Sequence, residues 1–175
     1  MSSKAQHASG VSLSATIPEI LDVDAWKRLG LITLSTDLTT ERDYRQLLPA
    51  EGVGLYATRV AFENPTTPEN LTKMTPRLTA AAKLLPDDQP LEAICYSCTA
   101  ASVVIGDTAV SSAIRAAHPE SAVVTPSQSA VWAFSALGVS RISVLTPYLV
   151  ETSEPLLEYF VQQGLDIQRI ECLEQ

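Results

Sequence analysis

Positive charge is scarce in this sequence: 12 Lys and Arg stand against 20 Asp and Glu, a net charge of −8 over 175 residues. Nucleic-acid binding draws on clustered cations that displace counterions from phosphates, so the composition argues against that partner. Long apolar runs are missing too. No stretch approaches the run of about 18 apolar residues that a membrane span needs. The opening MSSKAQHASG holds no contiguous apolar segment of the kind a secretory leader carries. Cysteines number three, an odd count that fits free thiols in a reducing compartment and argues against a disulfide framework. The expectation is a cytoplasmic protein with small-molecule partners, no nucleic acid and no membrane. Only two histidines are present, one of them near the N-terminus, which disfavours a Ser-His-Asp hydrolase. The fingerprint G-x-G-x-x-G and the phosphate loop with Gly-Lys-Ser are both lacking, so nucleotide binding loses its usual support.

What is present is a globular composition, 46% hydrophobic and 18% charged, enough for one sizeable core. Residues 1–16 are Ser- and Ala-rich without a period and are expected to form a tail. Beyond them strand and helix patterns alternate. LGLITLS from Leu29 suits a strand buried on both faces, and TTERDYRQLL from Thr39 reads as a helix with a Thr cap and early acids. VGLYATRVA is a second strand. Thr67, Pro68 and Glu69 then open a helix with Leu71, Met74, Leu78 and Leu85 near one face, which Pro76 is expected to kink. LEAICYS, SAVVTP, RISVLTP and LDIQRIECL are further strands, separated by helical segments that end near Gly138 and Gly164. This alternation predicts an α/β fold with a parallel sheet and flanking helices, and it directs attention to the strand-to-helix loops, where such sheets hold their ligands.

One of those loops, in AICYSCTAAS, carries Cys95 and Cys98. A zinc site has the right spacing but wants four ligands, and Cys172, His7 and His118 make no second pair. A dithiol redox pair would follow a strand and open a helix, yet an odd step along a strand puts the two side chains on opposite faces. A third reading packs Cys95 in the sheet and stands Cys98 at the strand end, where helix amides favour a thiolate and can hold a carboxylate. Two buried cysteines without chemistry are the plain alternative.

The segments LITLSTDLTTERD, GLYATRVAFENPTTPENL, AICYSCTAASVVIG and LGVSRISVLTPYLVET agree in order and spacing with a known family. Residues 29–170 resemble the Asp/Glu racemase superfamily, in the branch of maleate cis-trans isomerase and arylmalonate decarboxylase. They are most similar to the racemase-like proteins encoded with ectoine and hydroxyectoine utilization enzymes. The resemblance implies a two-domain, pseudo-symmetric fold whose halves each supply one cysteine, working without a cofactor or metal on a small carboxylate-bearing substrate. It places Cys98 as the first catalytic cysteine. It places Thr99 and Ala100 as donors to the substrate carboxylate, and Tyr148 as a hydroxyl contacting it.

Two departures qualify the likeness. Asp37 stands where the isomerase branch has a carboxylate-binding Asn; it would repel an anion unless protonated or faced by a cation, which suggests a substrate bearing an amine or a cyclic amidine. An Asp capping the next helix is the alternative. The second cysteine is expected beyond this chain, since Cys172 comes far too early. Residues 17–146 are therefore expected to form a first domain and 147–175 the start of an incomplete second, leaving apolar surface uncovered and favouring a homo-oligomer. Arg59 is a candidate cation for an anionic ligand or a solvated surface residue. Trp26 and Trp132 are expected in packing, and His118 at a helix end is expected to complement the dipole.

Overall fold

The computed structural model describes residues 14–19 and 26–174, so most of the expected tail lies outside the described residues. Four strands form the main sheet: β1 (Lys27–Leu34), β2 (Val53–Val60), β3 (Ala93–Tyr96) and β4 (Ala122–Val124). All pairings are parallel, in the order β2-β1-β3-β4. The order reverses between β1 and β3, because the chain leaves β1 toward one edge and β3 toward the other. The loops after these two strands therefore part and leave a crevice beyond their carboxyl ends.

The helices follow from local signals. Helix α1 (Thr40–Leu47) carries acids in its first turn. Thr67 caps α2 (Pro68–Thr72) by accepting the Asn70 amide at 3.3 Å, with Pro68 at the first helical position. Pro76 does more than kink the next segment: the chain breaks and restarts as α3 (Thr75–Ala82), with Pro76 in its first turn, where a missing N–H costs nothing. The segment after Cys98 is a short helix α4 (Thr99–Ile105), not a loop, ended by Gly106 at φ 88° before α5 (Asp107–Arg115) begins. Helix α6 (Pro126–Ala136) follows β4.

Alternation divides the sheet faces. Ile32, Ile94, Tyr96 and Val60 join Leu71, Met74, Leu78 and Leu85 in one buried cluster, with Ile114 and Val110 from α5. Leu31 and Thr33, also fully buried, point the other way. Trp26 and Trp132 do not pack as expected: they are 46% and 54% exposed. Trp132 stands on α6 beside the edge strand β4, where it lines an open groove in place of a core.

A second, two-stranded sheet pairs β5 (Arg141–Thr146) with β6 (Asp166–Cys172) in parallel, joined by α7 (Val150–Gln162). Although the sequence pattern groups β5 with the first domain, its only strand partner among the described residues is β6. Helix α7 packs on α4, burying Leu156 and Phe160, and the Phe160 ring meets Phe134 edge to face at 6.3 Å. Leu145 on β5 remains 64% exposed and Leu173 53%. Among the described residues no helix is long and apolar enough to cross a membrane.

Gly30 on β1 is set by packing. A Cβ there would lie 2.9 Å from Ile94 Cγ1, 3.0 Å from Leu85 Cδ1 and 3.1 Å from Leu91 Cδ1. Gly30→Val should destabilise the fold by about 1–3 kcal/mol through overpacking, read as a lower urea midpoint with unchanged slope; an unchanged midpoint would refute this packing.

Candidate active site

Three loops meet at the crevice. Tyr96 closes β3, Ser97 follows, and Cys98 takes an extended conformation (φ −144°, ψ 105°) as the N-cap of α4. Its carbonyl accepts the Ser102 amide at 3.0 Å and the Ser102 hydroxyl at 2.7 Å, which fixes the first turn of α4 beneath it. The Cys98 side chain is 9% exposed and belongs to the main buried cluster. Cys95, an odd step earlier, sits on the opposite face, where the Tyr44 hydroxyl of α1 donates to its sulfur at 2.8 Å. All three cysteines are free thiols. Among the described residues no three His, Cys, Asp or Glu side chains cluster as a metal site would require.

The charge state of Cys98 is decided by competition. Burial pushes its thiol up and is the largest influence; the amides of Ala101 and Ala100 and the Tyr96 hydroxyl pull it down, and the carboxylate of Asp37 pushes it up again. The net direction is upward. No amide makes a full capping hydrogen bond to the sulfur, so the donors do not outweigh desolvation. The thiolate expected from the strand-end position is therefore not the resting form; the resting form is a neutral thiol.

Tyr148, in the loop between β5 and α7, packs against the same cluster. Its hydroxyl interacts with the Thr99 side chain and the Ala100 amide, and burial, then the nearby Cys98, hold it protonated. Thr99 and Tyr148 also line a cavity of about 370 Å³ with Phe134, Leu156 and Phe160, running along β5. That volume suits a small ligand.

Asp37 completes the constellation from the β1–α1 loop, but as a helix cap. Its Oδ1 accepts the amides of Thr39 and Thr40, both at 2.9 Å, and Oδ2 accepts the Thr40 hydroxyl at 2.5 Å. Burial raises its pKa, but these bonds and the Arg59 guanidinium overcome that and hold the carboxyl below the usual range. Asp37 is thus ionised at neutral pH. Arg59 does not present its charge to the crevice: it donates to the carbonyls of Leu34 (3.0 Å) and Asp37 (2.7 Å) and pairs with Glu41 at 2.5 Å. It staples the loop that carries Asp37. His118 is buried, with Nε2 donating to the Ala82 carbonyl at the end of α3 at 3.0 Å, away from the crevice.

Of the residues singled out in the sequence, Asp37, Ala100 and Tyr148 therefore interact with Cys98, and Thr99 joins them through the Tyr148 hydroxyl. Two neighbours escaped notice. Tyr96 sits two residues before Cys98, a closeness along the chain that was legible in YSC. Tyr44 carried no such signal, because its contact with Cys95 spans 51 residues of chain.

No family profile matches the chain. Among solved structures, maleate isomerase from Pseudomonas putida S16 superposes with a TM-score of 0.71 at 21% identity, covering 85% of this chain and 64% of that one. A cysteine-to-serine mutant of Nocardia farcinica maleate cis-trans isomerase, holding a covalently bound succinylcysteine intermediate, gives 0.73 at 24% over the same shares. A liganded arylmalonate decarboxylase mutant gives 0.68 at 20%, covering 85% of this chain and 62% of that one. The chain thus has the α/β fold of the maleate isomerase and arylmalonate decarboxylase structures. In sequence it is similar to the maleate isomerase of Nocardia farcinica (strain IFM 10152), 25% identical over 158 residues, or 85% of this chain and 62% of that protein. The chain spans less than two thirds of the length of the relatives it matches.

The Asp37 cap yields a pH-dependent expectation. Its folded pKa lies below the unfolded value, so its stabilisation is fully present above the unfolded pKa near 4 and is lost as pH falls through the folded one. Asp37→Ala should cost about 1 kcal/mol near neutral pH, and the gap from the parent should close on acidification below about pH 4. Denaturant unfolding of both proteins across that range checks it; a gap that widens in acid would refute it.

Proposed function

We propose that this chain is the Cys98-bearing portion of a cofactor-independent racemase or isomerase of the Asp/Glu racemase superfamily, acting at the carbon beside a carboxylate. The observation that carries the reading is the meeting of the Cys98 thiol and the Ala100 amide with the Tyr148 hydroxyl, which also engages Thr99, beside a cavity that Thr99 and Tyr148 line. In this reading Thr99, the Ala100 amide and the Tyr148 hydroxyl hold the carboxylate. Cys98, once deprotonated, either adds to the adjacent carbon as a nucleophile or, as a base, takes its proton. The C–H electron pair moves into the carboxylate, and the growing negative charge on oxygen meets donors already in place. Return of the proton to the same face gives exchange; return to the opposite face needs a second acid, which the resemblance places on a cysteine beyond this sequence. Residues 17–146 and 147–175 would then be a first domain and the beginning of a second.

The finer reading concerns the substrate. An ionised Asp37 beside Cys98 disfavours a second carboxylate and supports a substrate with an amine or cyclic amidine, as in ectoine and hydroxyectoine degradation in the cytoplasm. Self-association would cover exposed Leu145 on β5 and Leu173 just past β6, and light scattering reads it. The neutral resting state of Cys98 favours one alternative, a ligand-binding portion that retains the carboxylate contacts without turnover. An arylmalonate-type decarboxylase is the other alternative from the resemblance, and loss of carbon dioxide from an arylmalonate would identify it.

Hydrogen–deuterium exchange at the α-carbon discriminates, because it needs only one base. With ectoine and hydroxyectoine as probes, the chain should accelerate exchange at a rate that rises about tenfold per pH unit below the Cys98 pKa, and Cys98→Ala should lower it by about 100-fold or more. Binding without exchange would favour the alternative. Exchange undiminished by Cys98→Ala would remove Cys98 from the chemistry.

A further inference from the structure

The Tyr96 phenol is the buried polar group that the reading above leaves without a task. It is 0% exposed, at the carboxyl end of β3, where a Phe would fill the same space without an O–H to satisfy. Its hydroxyl donates to the Met74 sulfur at 3.8 Å, a long bond to a weak acceptor. Its other neighbour is the Cys98 sulfur, which the hydroxyl meets within the same buried cluster; a tight turn joins the two residues, closed by the Cys98 amide donating to the Tyr96 carbonyl at 3.1 Å. One phenolic proton thus stands between two sulfur atoms. The thioether of Met74 never changes charge, whereas Cys98 can.

We propose that Tyr96 is the positioning residue for the Cys98 base: when Cys98 loses its proton, the Tyr96 hydroxyl turns from the Met74 sulfur and donates to the thiolate. The Cys98 proton leaves to solvent, and the phenol keeps its own. A donor hydrogen bond to a charged sulfur is stronger than one to a neutral thioether, so ionisation itself drives the turn. Burial, then the adjacent Cys98, raises the Tyr96 pKa, which favours the phenol keeping its proton.

The other groups facing Cys98 leave this part to Tyr96. From the β1–α1 loop comes Asp37, a carboxylate that opposes the thiolate, with Arg59 behind it engaged by Leu34, Asp37 and Glu41. From the β5–α7 loop comes Tyr148, whose hydroxyl is shared with Thr99 and the Ala100 amide. From α4 come the amides of Ala100 and Ala101. Helix α2 and the turn after it bring Leu71 and Met74, which do not titrate. Tyr96 is the side-chain donor that approaches from the core and that a carboxylate ligand would not claim.

The inference rests on Cys98 being the reacting thiol, and the experiment separates the two claims. In a chain carrying Cys95→Ser and Cys172→Ser, iodoacetamide reports Cys98 alone, and its alkylation rate against pH gives the thiol midpoint. Tyr96→Phe should raise that midpoint by about one pH unit, a roughly tenfold slower reaction at any pH below it. A purely packing role for Tyr96 leaves the midpoint unmoved, and that result would overturn the inference while Cys98 stays reactive. Should Tyr96→Phe not fold, Met74→Leu keeps the phenol and deletes its other acceptor; it should lower the midpoint, and an unchanged or higher one overturns the inference equally. A Cys98 that resists alkylation in both proteins up to pH 10 would defeat the functional reading itself, and this inference with it.

Discussion

The structure turns on one contest, between the cost of charging a buried sulfur and the donors gathered around it. Cys98 sits in the main core cluster, and burial is the largest influence on its proton. Against this stand two helix amides and one phenol. In the protein alone burial prevails. For a group with a pKa near 9, about one molecule in a hundred is ionised at pH 7, and Cys98 lies higher still. At neutral pH the thiol is therefore slow toward electrophiles, and its reactivity rises with pH.

The fold builds this contest from ordinary parts. Parallel strands β1 and β3 diverge in their connections, which opens the crevice. The restart of the chain at Pro76 brings Met74 under Tyr96, and the packing of α7 on α4 brings Tyr148 over Thr99. The cap made by Asp37 keeps the β1–α1 loop in place and, at the same time, sets a negative charge beside the sulfur. A single residue therefore both caps α1 and bears on the charge state of Cys98.

Much of this was legible in the sequence, because it rests on local rules. The strand and helix alternation, the Thr67-Pro68 start and the buried Leu71, Met74, Leu78 and Leu85 face follow from periodicity and capping. The split of one helix at Pro76 and the short α4 were less legible, since a kink and a break read alike and a small-residue run after Cys98 resembles a loop. The neutral state of Cys98 was not legible, for a physical reason. A strand-end position announces helix amides, but the weight of desolvation depends on the buried cluster around Cys98, to which Leu71 and Met74 come only through the tertiary fold. The surface placement of Trp26 and Trp132 was hidden in the same way.

The most direct test of the central claim is the ultraviolet absorbance of the Cys98 thiolate, taken as the difference between the chain and Cys98→Ser across a pH titration without ligand. The account predicts a midpoint above the 9.0 of an unperturbed thiol. A midpoint below 7 would mean that the donors already outweigh burial, and the contest described here would be decided the other way.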